Sequence, residues 1–101
     1  QRGAAMADFT AEFDTDKDAT KETLTKLISK IGVLTWNGDE GSFKGEGRAG
    51  GVKGNVAVSD RGGVTRVQFG YSLPFKLKMF GGVIDEQIRS GLEKGGGRVI
   101  S

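Results

Sequence analysis

Apolar positions alternate at the start of this chain, fall into a helical stripe, alternate again, and end in a second stripe. Phe9, Ala11 and Phe13 alternate with polar neighbours from Asp8 to Phe13, the period of a half-buried strand. From Asp16 to Ile31 the period changes. Leu24, Leu27, Ile28 and Ile31 fall at i, i+3, i+4 and i+7, so they share one helical face. Asp14-Thr15-Asp16 supplies capping side chains ahead of it, and Gly32 is expected to close it as a C-cap. Four extended runs follow: Val33 to Trp36, Ser42 to Lys44, Val52 to Ser59 and Val64 to Tyr71. Asn37-Gly38 and Asp60 to Gly63 read as the tight turns of an antiparallel meander. Pro74 bars a central strand. Beyond it Phe80, Ile84 and Ile88 stack at i+4, with Val83 and Leu92 beside them, which predicts a helix from about Val83 to Lys94. Gly95-Gly96-Gly97 ends it.

This pattern predicts an α+β fold: an antiparallel sheet of four to five strands with two helices packed on one face, in the order β-α-β-β-β-β-α. A single domain is expected over residues 8–95. Residues 1–7 read as a disordered tail in which Gln1 to Ala5 look like added vector sequence, and residues 96–101 as a loose end.

Composition narrows the chemistry. The chain has 101 residues, enough for one modest core. Cysteine and histidine are both absent, which removes the thiol nucleophile, the commonest zinc ligands and the usual acid-base group at neutral pH. The net charge of +2 is too small and too mixed to announce a nucleic-acid binder. No apolar run approaches the roughly 18 residues of a membrane span, and a cytoplasmic location is expected.

The motifs are weak against their structural alternatives. Asp14, Asp16 and Asp18 match the first acids of a calcium loop, but the positions needing Gly and a bidentate Glu hold Ala19 and Thr25, so helix capping is expected. Gly45, Gly47 and Gly50 spell G-x-G-x-x-G, yet an extended run follows where a dinucleotide site needs a helix, so a hairpin loop is expected. Asp39, Glu40 and Glu46 sit in turns, where carboxylates are solvated. Arg48, Lys53, Arg61 and Arg66 form a candidate basic face for nucleic acid, but no aromatics interleave with them for stacking. Leu73, Phe75, Leu77, Met79 and Phe80 surround Lys76 and Lys78; core plus a helix lead-in is the plainer reading, and a partly exposed contact surface for a lipid, a polyester or a partner is the functional one. Trp36 reads as a core or hairpin anchor. No residue pattern asks for a cofactor or a metal.

Several of these residues follow a known pattern: Trp36-Asn37-Gly38-Asp39, Phe43, Gly51-Val52-Lys53-Gly54-Asn55-Val56 running to Asp60, Val64 to Phe69, Leu73, Phe75, and the closing Ile84, Ile88-Arg89 and Leu92. In them the chain resembles the polyhydroxyalkanoic acid system family, small bacterial proteins associated with polyester-granule gene regions. The resemblance covers Asp8 to about Lys94. The histidine often found there between the first strand and helix is missing, and the loop from Gly45 to Gly50 is longer. The resemblance implies a role at storage granules and no catalytic residues. The expected function is a non-enzymatic accessory or binding protein, partnered by a polyester granule, another hydrophobic surface or a protein. A hydrophobic-ligand carrier of helix-grip type is the alternative, and nucleic-acid binding a weaker one.

Overall fold

A computed structural model describes residues 5–47, 50–74, 77, 79 and 81–100. The elements are β1 (Ala5–Phe13), α1 (Lys17–Ile28), β2 (Gly32–Asn37), β3 (Glu40–Gly45), β4 (Lys53–Asp60), β5 (Thr65–Leu73), α2 (Gly81–Lys94) and β6 (Gly97–Val99). The strands form one sheet in the order β2-β3-β4-β5-β1-β6, antiparallel at every pairing. The fold is therefore α+β, as the pattern predicts. The sheet has six strands rather than four to five, and the chain order ends in a strand after α2.

Two boundaries move with it. β1 begins at Ala5, inside the stretch read as a tail. β6 lies inside the stretch read as a loose end. Three residues carry no readable period; β6 exists because Gly97, Arg98 and Val99 pair with Phe13, Glu12 and Ala11 of β1.

Local chemistry sets the remaining boundaries. Asp16 caps α1, its Oδ1 accepting the Ala19 N–H at 2.8 Å. The helix stops at Ile28, and the Ile31 N–H then bonds the Ile28 carbonyl at 2.9 Å in one tighter turn. Gly32 is thus not the C-cap but the first residue of β2. A Cβ there would strike the Lys44 carbonyl oxygen of β3. The β2–β3 turn is Gly38-Asp39, with Gly38 at φ 67°, a conformation that favours glycine.

Alternation divides the sheet into two faces. Phe9, Ala11 and Phe13 of β1, Phe43 of β3, Val56 and Val58 of β4, and Val67, Phe69, Tyr71 and Leu73 of β5 are buried together. Leu24 and Ile28 of α1 and Ile88 and Leu92 of α2 join the same cluster, so both helices cover one face. Each Val, Leu, Ile or Phe among them contributes about 1.5–3 kcal/mol gross on burial. The other face is polar. There Arg66, Glu12 and Arg98 stand in register across β5, β1 and β6, with Arg66 and Glu12 2.9 Å apart and Arg98 and Glu12 3.7 Å apart. Such one-sided cover is open to an antiparallel sheet. Among the described residues no helix is long and apolar enough to cross a membrane.

Candidate ligand groove

The two helices touch at one end and part at the other. A Cβ on Gly91 of α2 would run into the Leu27 side chain of α1, and one on Gly95 would lie 2.6 Å from Thr23. The helices therefore run antiparallel and closest near the C-terminus of α2. Because α1 stops at Ile28, the first half of α2 has no helix facing it. A groove of about 700 Å³ runs along α2 from Ile84 to Lys94, between it and the end of α1 with the turn that carries the chain into β2. Its floor is Val52 and Phe69; its walls are Ile28 and Ile31 on one side and Ile84 and Ile88 on the other. Lys30, Glu46, Glu86 and Lys94 stand at it as charged groups, and none is in an ion pair among the described residues. The volume lies within the range of ordinary small-molecule sites, and apolar walls with a few polar groups are their usual lining.

A second polar cluster lies along the β1 side of α2. The Tyr71 hydroxyl donates to Asp85 Oδ1 at 3.1 Å, and Arg89 Nε donates to Asp85 Oδ2 at 2.7 Å. The Arg89 guanidinium lies 4.7 Å from the Phe9 ring centroid. Burial of the phenol, reinforced by the neighbouring Asp85 carboxylate, pushes the Tyr71 pKa up to about 12. Every member of this cluster has a partner, so it reads as a clamp holding α2 on the sheet. The only sequence signal for it is the i,i+4 spacing of Asp85 and Arg89.

The opposite end of the helical layer is fixed at the β2–β3 hairpin. Trp36 Nε1 donates to Thr25 Oγ1 at 2.9 Å, and Lys21 Nζ stands 5.0 Å from the Trp36 ring while donating to the Gly38 carbonyl at 2.6 Å. Lys17 bonds Asp39 at 2.8 Å; this contact raises the lysine pKa and lowers that of Asp39. Trp36 is a hairpin anchor, as its place in the sequence suggests.

No family model matches the chain, and no curated protein matches it. Its own geometry must carry the functional reading.

The structure does not bring the predicted site residues together. Leu73 is 3% exposed and belongs to the core, so it offers no surface contact. It lies on the inward face of β5, in phase with Val67, Phe69 and Tyr71. Leu77 packs against the core, whereas Met79 is 83% exposed. Phe75 and Phe80 lie outside the described residues. Of the basic candidates, Lys53 and Arg61 flank opposite ends of β4, and Arg66 is engaged by Glu12. They form no continuous basic face, and Arg48 lies outside the described residues. The turn carboxylates are dispersed too: Asp39 is bound by Lys17, Glu40 is exposed on β3, and Glu46 stands at the groove. Among the described residues no group of three or more His, Cys, Asp or Glu is placed to hold a metal ion. The glycine motif forms the β3–β4 loop, where the Gly50 N–H bonds the Gly47 carbonyl at 3.1 Å.

Proposed function

We propose that this protein is a non-enzymatic binding protein whose groove between α1 and α2 takes a small molecule with an apolar body. The observation that carries the reading is the groove itself: about 700 Å³ of space walled by Ile28, Ile31, Ile84 and Ile88 over Val52 and Phe69. Ligand binding there exchanges water on aliphatic walls for apolar contact, the largest favourable term available to such a site. Perturbed acid-base groups and activated nucleophiles do not enter the argument.

N-phenyl-1-naphthylamine, a dye that brightens in apolar sites, tests the reading. Saturable one-to-one binding is expected, with displacement by medium-chain carboxylic acids or alcohols. Ile84→Trp fills the groove from a half-buried position, and it should weaken binding by more than about tenfold, a loss of about 1.4 kcal/mol. A dye that never saturates, or binds the variant as tightly, removes the reading.

One observation favours a second reading. Met79, just before α2, and Val83, in its first turn, are both exposed, at 83% and 59%. They support the expectation of contact with a polyester granule, narrowed from the longer apolar stretch to this corner. Partition of Met79→Ser/Val83→Ser onto polyhydroxybutyrate particles should fall below that of the parent chain. Equal partition excludes the corner as the contact.

A further inference from the structure

The two edges of the sheet are protected differently. The β6 edge is three residues long and carries Arg98, and the stretch of β1 that it leaves uncovered carries Asp8. Short length and charge are the usual guards against edge pairing. β2 has neither. Its six residues, Gly-Val-Leu-Thr-Trp-Asn, hold no charge, no proline and no bulge. Val33 is 53% exposed.

Register shows which backbone groups are free. The Glu46 N–H bonds the Ile31 carbonyl at 2.8 Å, extending the pairing of Gly32 with Gly45. In an antiparallel ladder bonded pairs alternate. Val33, Thr35 and Asn37 therefore bond to β3. The N–H and C=O groups of Gly32, Leu34 and Trp36 point away from the sheet.

We propose that β2 is a dimerisation edge that pairs antiparallel with β2 of a second copy of this chain, about a two-fold axis at Leu34. In that register Leu34 meets its own copy. Trp36 stands opposite Gly32 of the other chain, which leaves space for the indole. Val33 stands opposite Thr35, both β-branched, on the outer face. Three bonded pairs form, and the strand is complementary to itself without a shift. The axis closes the assembly, because each chain has one such edge and the pairing uses it. A six-residue strand pair buries less than a standard interface of about 1,200–2,000 Å², so the dimer is weak and concentration-dependent. The inference does not rest on the groove.

Sedimentation velocity from micromolar to millimolar chain tests it. The parent should shift from monomer to dimer with concentration. Val33→Lys/Thr35→Lys places ammonium groups opposite one another across the axis and should raise the dissociation constant more than tenfold, with unchanged circular dichroism. Mixing it with Val33→Glu/Thr35→Glu should restore a dimer by opposite charge. A parent that stays monomeric, a lysine variant that dimerises as before, or a mixture that fails to recover overturns the assignment.

Discussion

Tyr71 and Gly54 show how single residues fix the sheet against its helices. Gly54 of β4 lies opposite Phe43 on one side and Tyr71 on the other. A Cβ there would strike the Phe43 ring and stand 2.5 Å from the Gly70 carbonyl oxygen, so only glycine lets the ring lie flat over β4. Beside it, Tyr71 is 3% exposed and its hydroxyl is spent on Asp85. The phenol pKa is raised in the folded chain, from 10.0 to about 12. The folded state thus holds the proton more tightly than the unfolded one. Its contribution is complete below pH 10 and is lost as pH rises towards 12. Tyr71→Phe should cost about 1 kcal/mol at neutral pH through the lost hydrogen bond. Because phenylalanine does not titrate, the stability gap to the parent should close as the solution is made more alkaline. Urea denaturation of both chains between neutral pH and pH 11 measures this; a gap that stays constant means the phenol is not held as described.

At the scale of elements, β6 is the informative case. Val99 packs against the core, and Arg98 joins Glu12 and also Asp14, the latter at 3.1 Å. The Ile100 N–H bonds the Thr10 carbonyl at 2.8 Å. Ending the chain after Gly96 removes these contacts and uncovers the Phe13 ring, from which a Cβ on Gly97 would be only 2.7 Å away. A loss of about 2 kcal/mol is expected, which for a chain of this size lowers Tm by roughly 8–16 °C. A truncated chain melting with the parent would mean β6 contributes nothing. The same element marks the limit of what sequence patterning reveals. The alternation of Phe9-Ala11-Phe13 and of Val67-Phe69-Tyr71 located β1 and β5 and their inward faces, and the stripe from Leu24 to Ile31 located α1. Gly97-Arg98-Val99 has no period to read, since its pairing is made by β1 rather than by its own residues. The dense run from Leu73 to Phe80 left core and contact surface open for a related reason. Apolar density does not tell an inward side chain, such as Leu73, from an outward one, such as Met79.

At the scale of the whole molecule, the groove and the β2 edge are distinct surfaces joined by one turn, since Ile31 lines the groove and Gly32 opens β2. Neither was legible as a site. The groove depends on α1 ending at Ile28 while α2 runs on past it, an offset that no local motif encodes. The edge depends on strand order, which places β2 outermost although it is the second strand in the chain. Ile31 of the groove is joined directly to Gly32 of β2, but α1 is pinned to β2 through Trp36 and Thr25 and to α2 through Leu27 and Gly91, so the turn between them is held from both sides. A ligand that binds only the folded chain adds RT ln(1 + [L]/Kd), about 2.7 kcal/mol at a hundredfold excess over Kd, which should raise Tm by roughly 10–20 °C. The dimer adds its own, concentration-dependent increment. If the two are independent, Val33→Lys/Thr35→Lys should lose the concentration dependence of Tm yet keep the full rise on adding a displacing carboxylic acid. Thermal melts of both chains, with and without the acid, at two protein concentrations separate the terms. A variant whose ligand-induced rise shrinks along with its dimer would show that β2 pairing reaches the groove through α1, and the two surfaces would have to be treated as one site.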